Sequence, residues 1–332
     1  MLRLGIAGCG TVTRMFHLRA IGEVKEFAIA ALVDKDRERL EGTLRSCRAW
    51  RGYVDYMEFL SDPEVDIVVI NTPPGCHEEM AIQALRAGKH VLCEKPLATS
   101  LEGALNIKSV KDETRLVVLP VHNYSFTPCW EVARDLSHDG VIGDVERVLI
   151  RLGNNLRLYR PKTGFRFEED YGIIEDFLPH ILPLVHEVAG VVVEVEDVDG
   201  WREIYNVVDN MRLSFRTDRG VEVEGFMSWT RLIPQFKVDV VGSEGVIKVD
   251  LFRAPYNLIL ESENNKKKIS MKRGLGQYLD LLRAKHPSFV GQYLHLYKVI
   301  IGEEEPRIDL EDEIEMIKVM EKIENISKEN KL

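Results

Sequence analysis

In the first third of the chain, short apolar runs alternate with stretches in which apolar residues recur every three or four positions. The runs at 2–7, 28–33, 66–71, 90–93 and 116–120 predict strands, and the stretches near 12–24, 35–46, 77–88 and 100–112 predict helices between them. A strand that is apolar throughout is buried on both faces. Strands that alternate with helices pair in parallel through right-handed crossovers, and their natural closure is a doubly wound sheet.

Beyond about residue 121 the period drops to two. Arg147–Arg151, Asn206–Arg216, Val221–Thr230, Lys237–Val241, Val246–Asp250 and Asn257–Glu261 predict strands; Met211, Leu213 and Phe215 fall on one side, Arg212, Ser214 and Arg216 on the other. Thr217-Asp218-Arg219-Gly220 and Gly242-Ser243-Glu244-Gly245 have hairpin-turn composition, and successive hairpins favour an antiparallel sheet. One face of such a sheet is a candidate oligomer interface, although open faces are also ordinary. Helical periodicity returns near 275–301 and 309–329, the latter with Ile314, Ile317, Met320, Ile323 and Ile326. Asn264–Lys268 is expected to be a solvated turn, and Ser327–Leu332 to fray. The fold class expected is therefore α/β. A nucleotide-binding, doubly wound parallel sheet over 1–121 is followed by an α+β domain with a largely antiparallel sheet over 122–332, for substrate binding and oligomerisation.

The 332 residues, 45% hydrophobic and 30% charged, suit about two domains. Net charge is −10, from 44 basic and 54 acidic residues, a poor match to sequence-independent nucleic-acid binding. No apolar run approaches the ~20 residues of a membrane span. The first predicted strand begins almost at Met1 with no basic leader before an apolar stretch, so no signal peptide is expected. Five cysteines without C-x-x-C spacing suggest reduced thiols, a cytoplasmic location and no metal site.

Between the first strand and its helix stands Gly8-Cys9-Gly10-Thr11-Val12-Thr13. Such a turn brings the backbone close to a pyrophosphate at a helix N-terminus: Gly8 permits the bend, Gly10 leaves room, and Thr11 and Val12 open the helix. Thr13 occupies the third glycine's place. This is the arrangement of a Rossmann dinucleotide-binding domain. Asp34 ends the second strand, where a carboxylate accepts from the adenosine ribose hydroxyls and repels a 2′-phosphate. NAD is thus favoured, while Lys35 and Arg37 keep NADP open. Asp34 also fits a helix N-cap. Thr72 and Pro73 lie past the third strand, where the nicotinamide ribose is expected. His77 begins the next helix, as a cofactor neighbour or a packing residue.

Residues 71–98 read Asn-Thr-Pro-Pro-Gly-Cys-His-Glu-Glu-Met-Ala-Ile-Gln-Ala-Leu-Arg-Ala-Gly-Lys-His-Val-Leu-Cys-Glu-Lys-Pro-Leu-Ala. This run closely resembles the Gfo/Idh/MocA oxidoreductase family, which includes glucose–fructose oxidoreductase and inositol 2-dehydrogenase. The resemblance covers most of 1–145 through Gly140-Val141-Ile142-Gly143-Asp144-Val145, resumes at Gly172–His180, and is otherwise one of architecture. It implies that Lys95 of Glu94-Lys95-Pro96 lies by the nicotinamide and the substrate hydroxyl. It also implies that the family's catalytic Asp and His are Asp176 and His180. Their i,i+4 spacing by itself puts both on one helix face. Leu178, Pro183 and Ser125 depart from the family's usual residues nearby. Asn123 and Tyr124, at the domain junction, are candidates for substrate hydroxyls.

Alcohol oxidation removes a proton and a hydride. An imidazole suits the proton, making His180 the candidate base; Asp176 would orient it or bind a neighbouring hydroxyl. Lys95 would stabilise the developing alkoxide. Taken singly, a lysine before proline is usually a turn residue, a helix histidine packing and an aspartate surface charge; together they make a constellation. The expected function is an NAD(P)-dependent dehydrogenase of a sugar, polyol or sugar derivative, assembled as a homodimer or homotetramer. The resemblance leaves two alternatives, a glycosidase using transient oxidation by NAD and a non-catalytic nucleotide-binding sensor. Arg151, Arg157, Arg160, Lys162 and Arg166, interleaved with Tyr159 and Phe165, would suit an anionic or nucleotide-linked substrate. Balanced by Glu168, Glu169 and Asp170, the same segment also fits a solvated loop.

Overall fold

A computed structural model describes residues 1–47, 49–156, 172–263, 265–271 and 286–329. The chain divides into two compact units, Met1–Asn123 with Tyr278–Ile317, and Tyr124–Gln277 with Lys318–Leu332. The described helices in chain order are α1 (Leu18–Ile21), α2 (Arg37–Leu44), α3 (Tyr56–Leu60), α4 (His77–Arg86), α5 (Leu101–Thr114), α6 (Pro128–His138), α7 (Ile173–Ala189), α8 (Pro287–Ile300) and α9 (Leu310–Glu329). None is long and apolar enough to cross a membrane.

In the first unit β1 (Leu2–Ala7), β2 (Phe27–Val33), β3 (Arg51–Tyr53), β4 (Ile67–Ile70), β5 (His90–Cys93) and β6 (Val118–Pro120) form a parallel sheet in the order β3-β2-β1-β4-β5-β6. All four residues of β4 are buried, as a strand covered on both faces requires. One face packs Val68 and Ile70 against Ala81 and Leu85 of α4, Ile107 of α5, and Leu310, Ile314 and Ile317 of α9. The other packs Leu4, Ile6, Ile67 and Val69 with Ile21 of α1 and Phe289, Tyr293 and Leu296 of α8. Side-chain oxygens cap the helix starts: Asp36 accepts from Arg39 N, Asp55 from Glu58 N and Ser100 from Gly103 N.

In the second unit β7 (Val145–Asn155), β8 (Val192–Trp201), β9 (Asn210–Thr217), β10 (Glu222–Ser228), β11 (Thr230–Gly242), β12 (Val246–Asp250), β13 (Asn257–Ser262) and β14 (Asn265–Ser270) form an eight-stranded sheet in the order β14-β13-β12-β11-β7-β10-β9-β8. Only β7 and β10 run parallel. Met211, Leu213 and Phe215 are buried on the helix side with Val148, Ile150 and Val238. The opposite side carries cross-strand ion pairs, including Arg147 with Glu224, Arg151 with Asp239 at 3.5 Å and Arg216 with Glu196 at 2.8 Å.

The doubly wound sheet and the largely antiparallel one are both present. Differences are local. Around 12–24 the helix is interrupted by a π turn over Thr13–His17. β3 and α3 were too short for periodicity to register. The strand expected from Asn206 begins at Asn210, because the Asp209 carboxylate captures the N–H groups of Glu203, Ile204 and Tyr205 at 2.8, 2.6 and 2.9 Å. The expected turn at 264–268 is largely β14, an exposed strand paired with β13. The helix expected to fray from Ser327 continues to Glu329 with Ser327 buried. Of the helix expected over 275–301, residues up to 285 lie outside the described residues. The compact units also differ from a single boundary near 121: Tyr278–Ile317 groups with the N-terminal unit because α8 and the start of α9 bury their apolar faces there.

Leu296 is fully buried in that core. Leu296→Ala is expected to destabilise the protein by about 2–4 kcal/mol, measured by equilibrium urea unfolding.

Candidate functional site

β1 and β4 are neighbours at the point where the strand order reverses, and ligands of doubly wound sheets bind beyond the strands' carboxyl ends there. Gly8 follows β1 with φ 93°, and a Cβ on it would stand 2.6 Å from the Asn71 carbonyl oxygen, so the bend admits glycine alone. A Cβ on Gly10 would meet nothing within 4 Å, leaving open space ahead of the exposed Thr11 and Val12. Those are the requirements of a pyrophosphate at a helix N-terminus. Thr13 is buried, donates through Oγ1 to Gly8 O at 2.5 Å and accepts from Asn71 Nδ2 at 3.0 Å. In the third glycine's place, this threonine ties the loop to the end of β4.

Asp34 is buried at the end of β2. Its Oδ2 accepts from Cys9 N at 2.8 Å and its Oδ1 from Asp36 N at 2.9 Å. Asp34 braces the glycine loop, and the α2 cap is Asp36 instead. Burial, with the Asp34 charge adding to it, pushes the Cys9 thiol up to about 12.

Thr72 and Pro73 lie between β4 and α4. The fully buried His77 has Nε2 2.9 Å from Thr72 O and Nδ1 2.7 Å from Pro96 O, so it stitches the loop after β4 to the loop after β5. Burial lowers its pKa although both carbonyls favour the protonated ring. Both ring nitrogens are engaged by main-chain carbonyls.

The loop after β5 holds Glu94, the half-buried Lys95 and Pro96, with a cis Lys95–Pro96 peptide. Glu94 Oε1 lies 2.9 Å from His17 Nε2, and Oε2 accepts from Lys95 N at 3.2 Å. Burial opposes the Glu94 charge, but the His17 hydrogen bond, aided by the Lys95 charge, holds its carboxyl below the usual range. His17 Nδ1 lies 2.8 Å from the Tyr293 hydroxyl, whose pKa is driven well up by burial and by the Glu94 charge. Leu97 N donates to Glu313 Oε1 at 3.5 Å, and Glu313 Oε2 is 2.7 Å from His122 Nε2. Asn123, a candidate for substrate, is buried with its amide donating to Ser288 Oγ at 2.8 Å.

Asp176, His180 and Tyr124 belong to the second unit. Asp176 is buried, and the fully buried Trp229 donates through Nε1 to its Oδ2 at 3.2 Å. Phe177 and Tyr205 stand edge-on to Trp229, at 6.4 and 6.5 Å between centroids. Tyr124 stands edge-on to His180 at 5.1 Å and to Phe236 at 4.8 Å. Pro179 and Pro183 lie inside α7. Neither has an N–H, so the carbonyls of Glu175 and Pro179 lack their helical donors on the turns around His180. Of the basic segment, Arg151 sits on the ion-paired sheet face; Arg157, Tyr159, Arg160, Lys162, Phe165 and Arg166, with Glu168, Glu169 and Asp170, lie outside the described residues.

Two family models match the chain: an oxidoreductase family with an NAD-binding Rossmann fold over residues 2–122, and the Gfo/Idh/MocA C-terminal domain over 130–248. The chain belongs to the Gfo/Idh/MocA family. This Gfo/Idh/MocA protein is 30% identical over 173 residues to dTDP-3,4-didehydro-2,6-dideoxy-α-D-glucose 3-reductase of Saccharopolyspora spinosa, across 52% of this chain and 50% of that one. It is 24% identical over 171 residues to the NADP(+) scyllo-inositol 2-dehydrogenase IolW of Bacillus subtilis, across 52% and 46%. The chain thus spans about half the length of the curated relatives it matches. Levoglucosan dehydrogenase, solved with NADH and levoglucosan, shares the fold at a TM-score of 0.86 and 17% identity, over 99% of this chain and 97% of that one.

Local sequence did not single out His17, Tyr293, Glu313, Asp209 or Trp229. Each reads as an ordinary helix, loop or strand residue, and its partner lies at a distance in sequence or across a bend. Only the oddity of buried polar groups, visible after folding, marks them.

Gly8→Ala is expected to strain the bend, lowering unfolding free energy by about 1–3 kcal/mol. NADH affinity, followed by nicotinamide fluorescence, should weaken at least roughly tenfold as the loop shifts away from its phosphate-binding shape.

Proposed function

We propose that this Gfo/Idh/MocA member is an NAD(P)-dependent dehydrogenase or reductase acting on a hydroxyl or keto group of a sugar, polyol or sugar derivative, including anionic and nucleotide-linked ones. The observation that carries it is the gathering of Gly8, Gly10, Asp34, Thr72 and the His77-stitched Lys95 loop at the carboxyl ends of β1, β2, β4 and β5. Gly8, Gly10, Thr11 and Val12 would hold the pyrophosphate, Asp34 the adenosine ribose, and Thr72, Pro73, Glu94 and Lys95 the nicotinamide end. When bound, the nicotinamide supplies the hydride acceptor or donor.

The protein's own groups manage the proton. His180 takes it from the substrate hydroxyl, or returns it in reduction. Asp176, held by Trp229, orients the sugar or the base. Lys95 donates to the reacting oxygen and stabilises its developing charge. Tyr124, edge-on to His180, is assigned to the substrate's ring hydroxyls. The relatives' substrates, an inositol and a nucleotide-linked deoxysugar, support the carbohydrate class. Five free thiols suit a reducing compartment such as the cytoplasm.

A panel of scyllo-inositol, levoglucosan and glucose 6-phosphate with NAD and NADP, and of 1,5-anhydro-D-fructose with NADH and NADPH, followed by reduced-nicotinamide absorbance, tests the proposal. Lys95→Ala and His180→Ala should each lower turnover at least ~100-fold while NADH still binds. Full activity in either would sink the mechanism, and no net change in nicotinamide during glycoside cleavage would favour the glycosidase.

We also assign the ion-paired face of the eight-stranded sheet to contact between copies of this chain. A register shift lies between Thr230 and Gln235, and within it Leu232 and Ile233 are 81% and 60% exposed; nearby, Arg231 lies over the Phe226 ring, which stacks on Trp201. Two adjacent, highly exposed apolar side chains suit burial against another copy of the chain. Leu232→Asp with Ile233→Asp is expected to convert a dimer or tetramer to smaller species in light scattering; an unchanged mass would exclude this face.

A further inference from the structure

Lys95 hangs from a loop that has few main-chain donors. Pro96 has none, leaving Lys95 N and Leu97 N, and both are taken by carboxylates, Glu94 and Glu313. The Glu94 carboxylate directs one oxygen to Lys95 N only while its other oxygen is fixed elsewhere. His17 Nε2 fixes it at 2.9 Å. An ionised carboxylate accepts only, so Nε2 carries the proton, and in the neutral ring Nδ1 accepts from the Tyr293 hydroxyl at 2.8 Å. Both rings are fully buried, and the imidazole is wedged edge-on between Phe289 at 5.0 Å and Tyr293 at 5.9 Å. The chain of contacts runs Tyr293 O–H to His17, His17 N–H to Glu94, and Lys95 N–H to Glu94, through residues nearly three hundred positions apart.

We propose that His17, backed by Tyr293, is the positioning residue for Lys95: it orients the Glu94 carboxylate, and the carboxylate sets the peptide from which the lysine projects. The catalytic consequence rests on the role of Lys95 in the proposed function; the positioning does not. Without His17, Glu94, whose side chain is only 14% exposed, is stripped of its chief partner and turns towards other donors or takes up a proton. In either state Lys95 N loses its acceptor.

Amide hydrogen exchange on the full chain, read by mass spectrometry, tests the positioning without a substrate. In His17→Phe, peptides covering Lys95 and Leu97 should exchange roughly tenfold faster or more, with β1 and β4 unchanged. Tyr293→Phe, which removes one oxygen, should move the same peptides in the same direction by less. His17→Gln, whose amide can donate to Glu94 and accept from Tyr293, should restore exchange to within about threefold. Unchanged exchange at Lys95 and Leu97 in His17→Phe, or equal acceleration in β1 and β4, overturns the proposal. For turnover on whichever sugar of the panel is oxidised, the expected signature is a lower kcat with KM for the nicotinamide within about threefold. The double variant His17→Phe/Lys95→Ala should be no slower than Lys95→Ala alone. Additive losses would show that His17 acts independently of Lys95. A wild-type protein inactive on the whole panel would count against the proposed function, while the exchange results would still decide the positioning.

Discussion

A carboxylate placed just past a fully buried parallel strand must be compensated by the protein itself. Glu94 follows Val91, Leu92 and Cys93, none of which touches solvent. Leaving a charge unpaired there would cost several kcal/mol, so its neighbours are constrained in kind. One must donate, which His17 does. That donor's other nitrogen must be answered by a hydroxyl, which Tyr293 provides. The neighbouring Lys95 supplies both an N–H and a positive charge. His77 and Glu313 then fasten the next two residues. The loop that carries the lysine is thus held residue by residue by side chains drawn from the start of α4, the π turn before α1 and the returning C-terminal segment.

The fold was largely legible because its signals are local. Wholly apolar runs marked β1, β2, β4 and β5 to within a residue or so, and the two-residue period marked the second sheet. Failures fell where a single polar group overruled a pattern. Asp209 gathers three backbone N–H groups and delays β9, and β14 hides three lysines on an edge strand, where charge discourages pairing with another chain. The glycine loop, Asp34 and the Lys95 motif could be proposed from sequence because their chemistry is written in adjacent residues. Tyr293 could not be: a tyrosine on an apolar helix face reads as core until a histidine from the first helix is found against its hydroxyl. Trp229 is a parallel case, since strand alternation buries its ring and says nothing of the indole N–H that holds Asp176.

In two places the chain gives up regular helical bonding. Thr13 stands where close helix–strand packing usually calls for glycine, and it answers by bonding to both Gly8 and Asn71 within a π turn. In α7, Pro179 and Pro183 give up helical hydrogen bonds on either side of His180. Both lie beside candidate site positions, and the widened turn over Thr13–His17 is of a kind frequent at functional sites.

The return of α8 and α9 to the first core has a consequence for biosynthesis. Leu4, Ile6, Ile67 and Val69 emerge early from the ribosome, yet Phe289, Tyr293 and Leu296, which cover them, are translated more than two hundred residues later. At synthesis rates of about 5–20 residues per second, that interval is on the order of ten to fifty seconds. The domain begun first is closed last, and a nascent chain halted before α8 leaves part of an apolar sheet face uncovered. Surface exposed in that way favours aggregation until the returning helices cover it.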